Sequence, residues 1–532
     1  MTATETRTTT FDLLEEPWLP VSLLNGTAET WSLTELFARA HEARGLSEPS
    51  PLTYTATMRF LLAILHRTVE GPTSPAQWST IREAGSFEAS KIAAYLETYR
   101  DRFHLFHPER PFAQALVAGN PGEEKPITQL SFERVSGNNG TLYDHSVDTG
   151  PLPVSPGDAA RLVLTAHQYG FAGAQIFRDA PMIAGYCLML EGANLFETLT
   201  LNLQQYDDTL PAELTRTGDA PWWELETDPA ADPDGNLPRG LTDLLTWRGR
   251  RILLVRGDDG LVRHCWYRPG YQLRPGVIID PFKRCVPVLD QGQNRGTFPR
   301  GFQPDRALWR DSYAFFPREY TVKGIPGTVP RPTIISWLDR LRGHYEDTYG
   351  ADLPSTPSLV ATGIVKANQA GVLLWRMDRL PLPLRILKQP ESYLAVERAT
   401  TLAEESRWAL RTAASTYARQ VVGQGERDPA PEDVSRELVA LRFEARYWSA
   451  LDRAFQTFLT NLAASNDPDA ALADWRTALR RVATDAYFDA TDQTNTDGRR
   501  MAAQAIGSRT LRSQLAKALR STSGESPEAA GS

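Results

Sequence analysis

From Pro390 to about residue 520 the chain repeats apolar residues at steps of three and four, and this limits its possible folds more than any other feature. Leu438, Leu441, Ala445, Trp448, Leu451, Phe455, Phe458 and Leu462 form one series; Leu472, Trp475, Leu479, Val482 and Ala486 form another. Residues so spaced share one face of an α-helix, so each series reads as an amphipathic helix. Stretches 391–422 and 498–520 also suit helices, with breaks at GQGERDPAPED, SNDPD and TDQTNTDG. Asp433 and Asp467 stand where N-terminal caps or first-turn acids belong. Four long amphipathic helices joined by short loops predict a four-helix bundle over 390–520.

A chain of 532 residues is too long for one average core, so two or three domains are expected. Residues 11–380 read as one mixed domain. The predicted fold class is therefore α+β: a large mixed α/β N-terminal domain with β-rich portions, followed by the C-terminal four-helix bundle. FDLLEEPWLPV (11–21) reads as an apolar-aromatic strand broken by prolines. A helix is predicted at about 52–68, where Met58, Leu61, Leu62 and Leu65 make a stripe. Residues 100–114 are aromatic-rich, and 207–240, with Trp222 and Trp223, read as an excursion between core elements. VSGNNGTLYDHSVDTGPLP (135–153) has no period and reads as a functional or disordered loop. From 250 to 380 short apolar runs alternate with Gly and Pro, a β-rich pattern with many turns. Residues 1–10 and 521–532 read as disordered tails.

Hydrophobic content of 41% and charged content of 23% are ordinary for a soluble globular protein. No window approaches ~18 uninterrupted apolar residues, and the start lacks a secretory pattern. Three widely spaced cysteines, Cys187, Cys265 and Cys285, fit a reducing, cytoplasmic setting with the thiols as buried hydrophobes. Although His264 adjoins Cys265, no C-x-x-C pair accompanies it, so no metal and no cofactor is expected. The formal charge, 57 minus 65, is −8. A freestanding, sequence-blind nucleic-acid binder is usually basic. An acidic balance suits instead a subunit that meets a few phosphates within a larger assembly.

Signatures of catalysis are scarce. The chain has no phosphate loop, no G-x-S-x-G elbow, no H-E-x-x-H and no His-Asp dipeptide of a metal-dependent nuclease. His104 and His107 form an H-x-x-H inside an aromatic, proline-broken stretch, which favours a structural role. Tyr143, Asp144 and His145 imitate an acid–base cluster but sit together in the glycine-rich loop. Three classes remain: a non-enzymatic binding subunit, a metal-dependent hydrolase or nuclease with dispersed carboxylates, and a purely structural scaffold.

Several stretches suit contact with a polyanion. In YGFAG, Gly170 and Gly173 permit close backbone approach to a ligand, though a simple turn explains them too. Arg263, Arg268, Arg274, Lys283, Arg284, Arg295 and Arg300, with Tyr267 and Tyr271 interleaved, read either as a polyanion-facing region or as a solvated β surface. The last helix carries Arg499, Arg500, Arg509, Arg512, Lys517 and Arg520 without an acid, which suits a phosphate-facing edge or an exposed bundle face. Most unusual is VKANQAG (365–371), lying between the strand-like runs LVATGIV and GVLLWRM. The pair reads as a hairpin whose tip holds out two amides and a lysine without an Asn-Gly or Asp-Gly turn.

FDLLEEPWLPV, HPERPFAQ, the loop before YGFAG, the KANQAG hairpin and the helical C-terminus occur in that order. Together, from about 11 to 520, they resemble the CasA family, the large subunit of the type I-E CRISPR complex Cascade. The resemblance implies a non-catalytic subunit that reads a target-flanking motif, the PAM, from the minor groove of double-stranded DNA. It implies three reading elements. The glycine loop matches Gly170, Phe171, Ala172 and Gly173, and the hairpin matches Asn368, Gln369 and Ala370, with Lys366 at its base placed to take a phosphate. The cationic finger falls in GYQLRPG, where the family's lysine is missing and Arg274 is nearest. Leu142 or Tyr143 would anchor the loop that docks near the guide RNA and the backbone subunits. Implied partners are target DNA, guide RNA with the other Cascade subunits and a helicase-nuclease, and no membrane.

Overall fold

The structure is a computed structural model that describes residues 10–116, 123–131, 152–170, 180–206, 210–212, 214–228, 230, 232–274, 280–290, 293–315, 318–322, 325–329, 331–355, 357–366, 372–423, 429–465, 467–492 and 497–520. It divides into two compact units: Met1–Arg306 with Pro317–Leu380, and Ala307–Phe316 with Pro381–Ser532.

In the first unit, strands β1 (Leu19–Leu23), β2 (Ala28–Trp31) and β3 (Ala43–Leu46) form an antiparallel sheet in the order β2-β1-β3. The expected strand over 11–21 is therefore mostly something else. Asp12 makes a turn, accepting from Leu14 N at its Oδ1 (3.0 Å) and from Glu16 N at its carbonyl (2.7 Å), and regular pairing starts only at Leu19. Helix α1 (Pro51–Thr68) begins at Ser50, whose Oγ accepts from the amides of Leu52 and Thr53. Every residue from Leu52 to Thr68 except Arg67 is buried, so the predicted stripe understates a helix that is enclosed on all sides.

Around α1 lies an aromatic core that corrects a second expectation. Trp222 and Trp223 are buried, not part of an excursion. Phe60 of α1 meets Phe112 at 5.5 Å and Trp223 at 5.6 Å between ring centroids, and Phe112 meets Trp222 at 5.4 Å. Burying indole rings outweighs the turn-forming Asp, Pro and Gly around them.

Strand β4 (Lys125–Pro126), helix α2 (Pro156–Tyr169) and strand β5 (Tyr186–Glu191) come next. Strands β6 (Arg250–Arg256) and β7 (Val262–Pro269) pair in the sheet β4-β7-β6. Two-stranded ribbons follow: β8 (Cys285–Asp290) with β9 (Gln293–Pro299), and β10 (Arg318–Val322) with β11 (Ile325–Val329). Strands β12 (Ser358–Lys366) and β13 (Val372–Pro381) join β5 in the order β13-β12-β5. The two apolar runs flanking KANQAG are thus sheet neighbours. Helix α3 (Thr333–Tyr349) interrupts the expected β-rich region, burying Ile334, Ile335, Trp337, Leu338, Leu341 and Tyr345 at helical spacing.

In the second unit, α4 (Pro390–Val422) packs against α5 (Pro431–Leu441), α6 (Phe443–Ser465), α7 (Pro468–Asp492) and α8 (Gly498–Ala518), and α6 packs on α7. The single helix expected over 438–462 is two. Arg442, at φ 48°, takes a left-handed conformation that ends α5 and turns the buried face of α6 onto Phe443, Tyr447, Leu451, Phe455 and Phe458. Ala470 N donates to Asp467 Oδ1 at 3.0 Å, which caps α7. Trp309, from a segment the sequence places in the mixed domain, stacks on Phe455 at 4.6 Å and donates to Asp452 Oδ1 at 2.5 Å.

Candidate functional site

Helix α2 delivers the first element. Ser155 Oγ accepts from Asp158 N at 3.1 Å, and Pro156 fits the first turn, so the start of the helix is fixed. It ends at Gly170, whose N–H still donates to Ala166 O at 2.9 Å while ψ swings to 127°. Phe171, Ala172 and Gly173 lie outside the described residues, but the two flanks of that segment meet. Ala180 N donates to Gly170 O and Met182 N to Gln168 O, both at 2.9 Å.

Gly170 is dictated by space. A Cβ there would stand 2.6 Å from Arg250 Nε, 2.7 Å from Ala166 O and 2.8 Å from Tyr267 Oη. Arg250, only 2% exposed, donates from Nη2 to Gly170 O at 2.5 Å, from Nη1 to Gly249 O at 2.6 Å and from Nε to Tyr267 Oη at 2.8 Å. Its backbone N–H donates to His167 Nδ1 at 3.4 Å. That leaves the proton of His167 on Nε2, where it is shared with Ala113 O at 2.7 Å. Burial holds this imidazole neutral, with its pKa pushed down to about 3.

The second element follows from sheet register. Gly363 of β12 stands opposite Tyr186, the first residue of β5, so Ile364, Val365 and Lys366 run past the end of β5. Lys366 is thus the last strand residue, and Asn368, Gln369 and Ala370 lie outside the described residues. A Cβ on Gly363 would approach Gly185 O at 3.1 Å, so glycine lets the two strands close at this end.

The third flank also lands on β5. Cys187 bridges to Lys283, Leu188 N donates to Phe282 O at 2.6 Å, and Tyr186 N donates to Arg300 O at 2.9 Å. The glycine segment leads into β5, the hairpin extends from its neighbour β12, and the segment after Arg274 bridges it. The polar core beneath is held by Arg59, wholly buried in α1. Its Nε donates to Gln168 Oε1 at 3.1 Å, and its Nη2 pairs with Asp280 Oδ2 at 2.8 Å. Burial alone would raise the Asp280 pKa, but Arg59 and Lys283 together hold it below the ordinary carboxylate value.

The basic cluster read from the sequence is not one open surface. Lys283 and Arg284 are buried, Arg263 pairs with Asp259 at 2.6 Å, and the Arg295 side chain lies outside the description. Arg274 is pinned, with Nη2 on Asp232 Oδ2 at 2.9 Å and Nε on Gly235 O at 3.1 Å. His104 and His107 have structural partners: His104 Nδ1 lies 2.8 Å from Thr10 Oγ1, and His107 Nδ1 accepts from the amides of Glu109 and Arg110. Leu142 and Tyr143 lie outside the described residues. No described helix is long and apolar enough to cross a membrane.

A two-unit chain of this architecture, with β12 paired to β5 and Phe282 and Lys283 bridging it, is of the CRISPR-associated class: the family model for CRISPR-associated protein Cse1 matches residues 12–486. The curated CasA/Cse1 of Thermus thermophilus is 34% identical over 517 residues, covering 93% of this chain and 95% of that protein. The crystal structure of Thermobifida fusca Cse1 superposes with a TM-score of 0.77 at 26% identity, over 96% of this chain and 98% of that one. A crystal structure of Thermus thermophilus CasA gives 0.75 at 31% identity, over 95% and 99%. The chain belongs to the Cse1 (CasA) family of CRISPR-associated proteins. Membership of this family does not favour the hydrolase or nuclease alternative.

Proposed function

We propose that this chain is the non-catalytic subunit of a cytoplasmic, RNA-guided antiviral surveillance complex that recognises the PAM in the minor groove of double-stranded DNA. It starts strand separation for R-loop formation and helps recruit a helicase-nuclease. The observation that carries the reading is the position of β5 among the three segments: the glycine segment leads into it, β12 pairs with it before running on to Lys366, and Phe282 and Lys283 bridge it.

The minor groove presents mainly acceptors plus the guanine amino group, so its readout is degenerate. Asn368 both donates and accepts there, and Ala370 places a methyl against a bare groove edge. Such a reader tolerates several motifs. Gln369 acts as a wedge beside the motif, where unstacking costs roughly a few kcal/mol per step that protein contacts must offset. Guide pairing then carries sequence specificity in a nearly balanced exchange of duplexes, so a small initial push decides whether it begins. Gly170 to Gly173 bring backbone to the groove, Lys366 takes a phosphate, and Arg274 serves as the cationic finger once released from Asp232. Leu142 or Tyr143 anchors the docking loop to guide RNA and backbone subunits, and the C-terminal helices act as a four-helix bundle toward the other subunits.

The test is reconstitution with guide RNA and the remaining subunits, with and without this chain, at one fixed salt concentration. Preference for motif-bearing over motif-free duplex should appear only when the chain is present. Equal preference without it would refute the proposal.

A further inference from the structure

We infer that the solvent-facing side of the β6–β7 pair, at Arg251 and Arg268, is a phosphate-binding surface that takes the backbone of duplex DNA without regard to its sequence. This rests on the proposed reading of the chain as a DNA-binding subunit. Register places Arg251 of β6 opposite Arg268 of β7. Both are exposed, whereas Arg250 and Ile252 on either side of Arg251 are buried, so the two arginines stand on the outward face of the sheet. Like charges directly opposite each other destabilise a strand pair. A phosphate between them offsets that repulsion, because each guanidinium presents a planar fork of donors to anionic oxygen.

The surroundings add positive charge. Arg248 pairs with Asp228 and lies over the rings of Trp222 and Tyr271, 5.7 and 5.9 Å from their centroids. Burial alone would raise the Asp228 pKa, but Arg248, Tyr271 and Arg251 hold it below the ordinary carboxylate value. One carboxylate is thus shared among two arginines and a phenol. On a chain with a formal charge of −8, a local cationic face of this kind selects for phosphate. Its place in the fold selects the source. Gly270 N donates to Gly249 O at 3.2 Å and Tyr271 N to Arg248 O at 3.1 Å, so the segment carrying Arg274 leaves from the Arg251–Arg268 end of the sheet. The duplex that the proposed reading brings to that segment is the polyanion nearest this face.

The experiment uses the complex reconstituted with the full chain and guide RNA, and measures affinity for motif-bearing and motif-free duplex across a range of salt concentrations. The variants are Arg251→Gln with Arg268→Gln, Arg251→Lys with Arg268→Lys, and Asn368→Ala. Log affinity falls with log salt by about 0.9 for each phosphate neutralised, so the double glutamine variant should lessen the slope by roughly two and weaken both duplexes alike. The double lysine variant keeps both charges and should keep the wild-type slope. Because the two side chains are exposed and repel each other, the glutamine variant should melt no lower than wild type. A wild-type slope in the glutamine variant overturns the phosphate surface. So does a slope lessened equally in the lysine variant, which would mark a structural effect, and so does loss of guide RNA from the complex with the duplex slope unchanged. A wild-type slope in the glutamine variant with motif preference lost in Asn368→Ala removes this surface and leaves the motif-reading proposal standing. A lessened slope with wild-type preference in Asn368→Ala supports the surface and overturns motif reading by the hairpin.

Discussion

The guanidinium of Arg59 lies 2.8 Å from the carboxylate of Asp280, although 221 residues separate them in the chain. Both groups are buried. Removing one partner of a buried ion pair leaves an uncompensated charge and costs about 3–5 kcal/mol. Asp280→Asn should therefore destabilise the first unit by that amount, as measured by chemical denaturation. The double substitution Arg59→Met with Asp280→Asn should recover much of the loss. A single variant with wild-type stability would show that the pair does not hold this region together.

His66 gives a separate prediction about pH. Its imidazole is buried against Tyr206, ring centroids 5.6 Å apart, and neither ring nitrogen has a hydrogen-bond partner. Burial pushes its pKa down to about 3. The unfolded chain thus binds a proton below pH ~6.5 that the folded chain refuses until far lower pH. Stability is fully present above that value and falls on acidification, by about 1.4 kcal/mol per pH unit from this group. His66→Phe should flatten the decline in melting temperature between pH 6.5 and roughly 5. An unchanged slope would mean that His66 is not held neutral.

Asp232 governs how freely Arg274 can move. The pair is partly exposed, so it contributes little to stability, on the order of 0–1 kcal/mol. Asp232→Asn should leave folding intact and loosen the guanidinium, which keeps only the weaker bond from Nε to Gly235 O of the two that pin it. With Arg274 as the cationic finger, duplex affinity of the reconstituted complex should rise, and the rise should vanish in Asp232→Asn combined with Arg274→Ala. A rise that persists in the double variant would move the finger elsewhere.

What could be read from the sequence depended on the range of the interaction. The helices after Pro390 were visible because three-to-four spacing persists over several turns, yet the left-handed Arg442 was not, since nothing local marks it as a stop. Ile334, Trp337, Leu338, Leu341 and Tyr345 of α3 carried the same spacing but lay among Gly- and Pro-rich strands. The site divides similarly. YGFAG and KANQAG stand out in the sequence as local motifs, whereas the contacts around their described flanks are not local. Arg59 stands out in MRFLLAIL, but its partners Gln168 and Asp280 come from distant segments. Arg250 reaches Gly170 across 80 residues, and no periodicity reports such a contact.

On the proposed reading, the KANQAG tip reads the motif and then opens the duplex. The most direct measurement places a fluorescent base analogue beside the motif and follows capture and strand opening by the reconstituted complex at one fixed salt concentration. Asn368→Ala should weaken capture of motif-bearing duplex and erase its advantage over motif-free duplex. Gln369→Ala should capture the duplex nearly as well as wild type but open it more slowly. If both variants capture, discriminate and open like wild type, the hairpin does not read the motif.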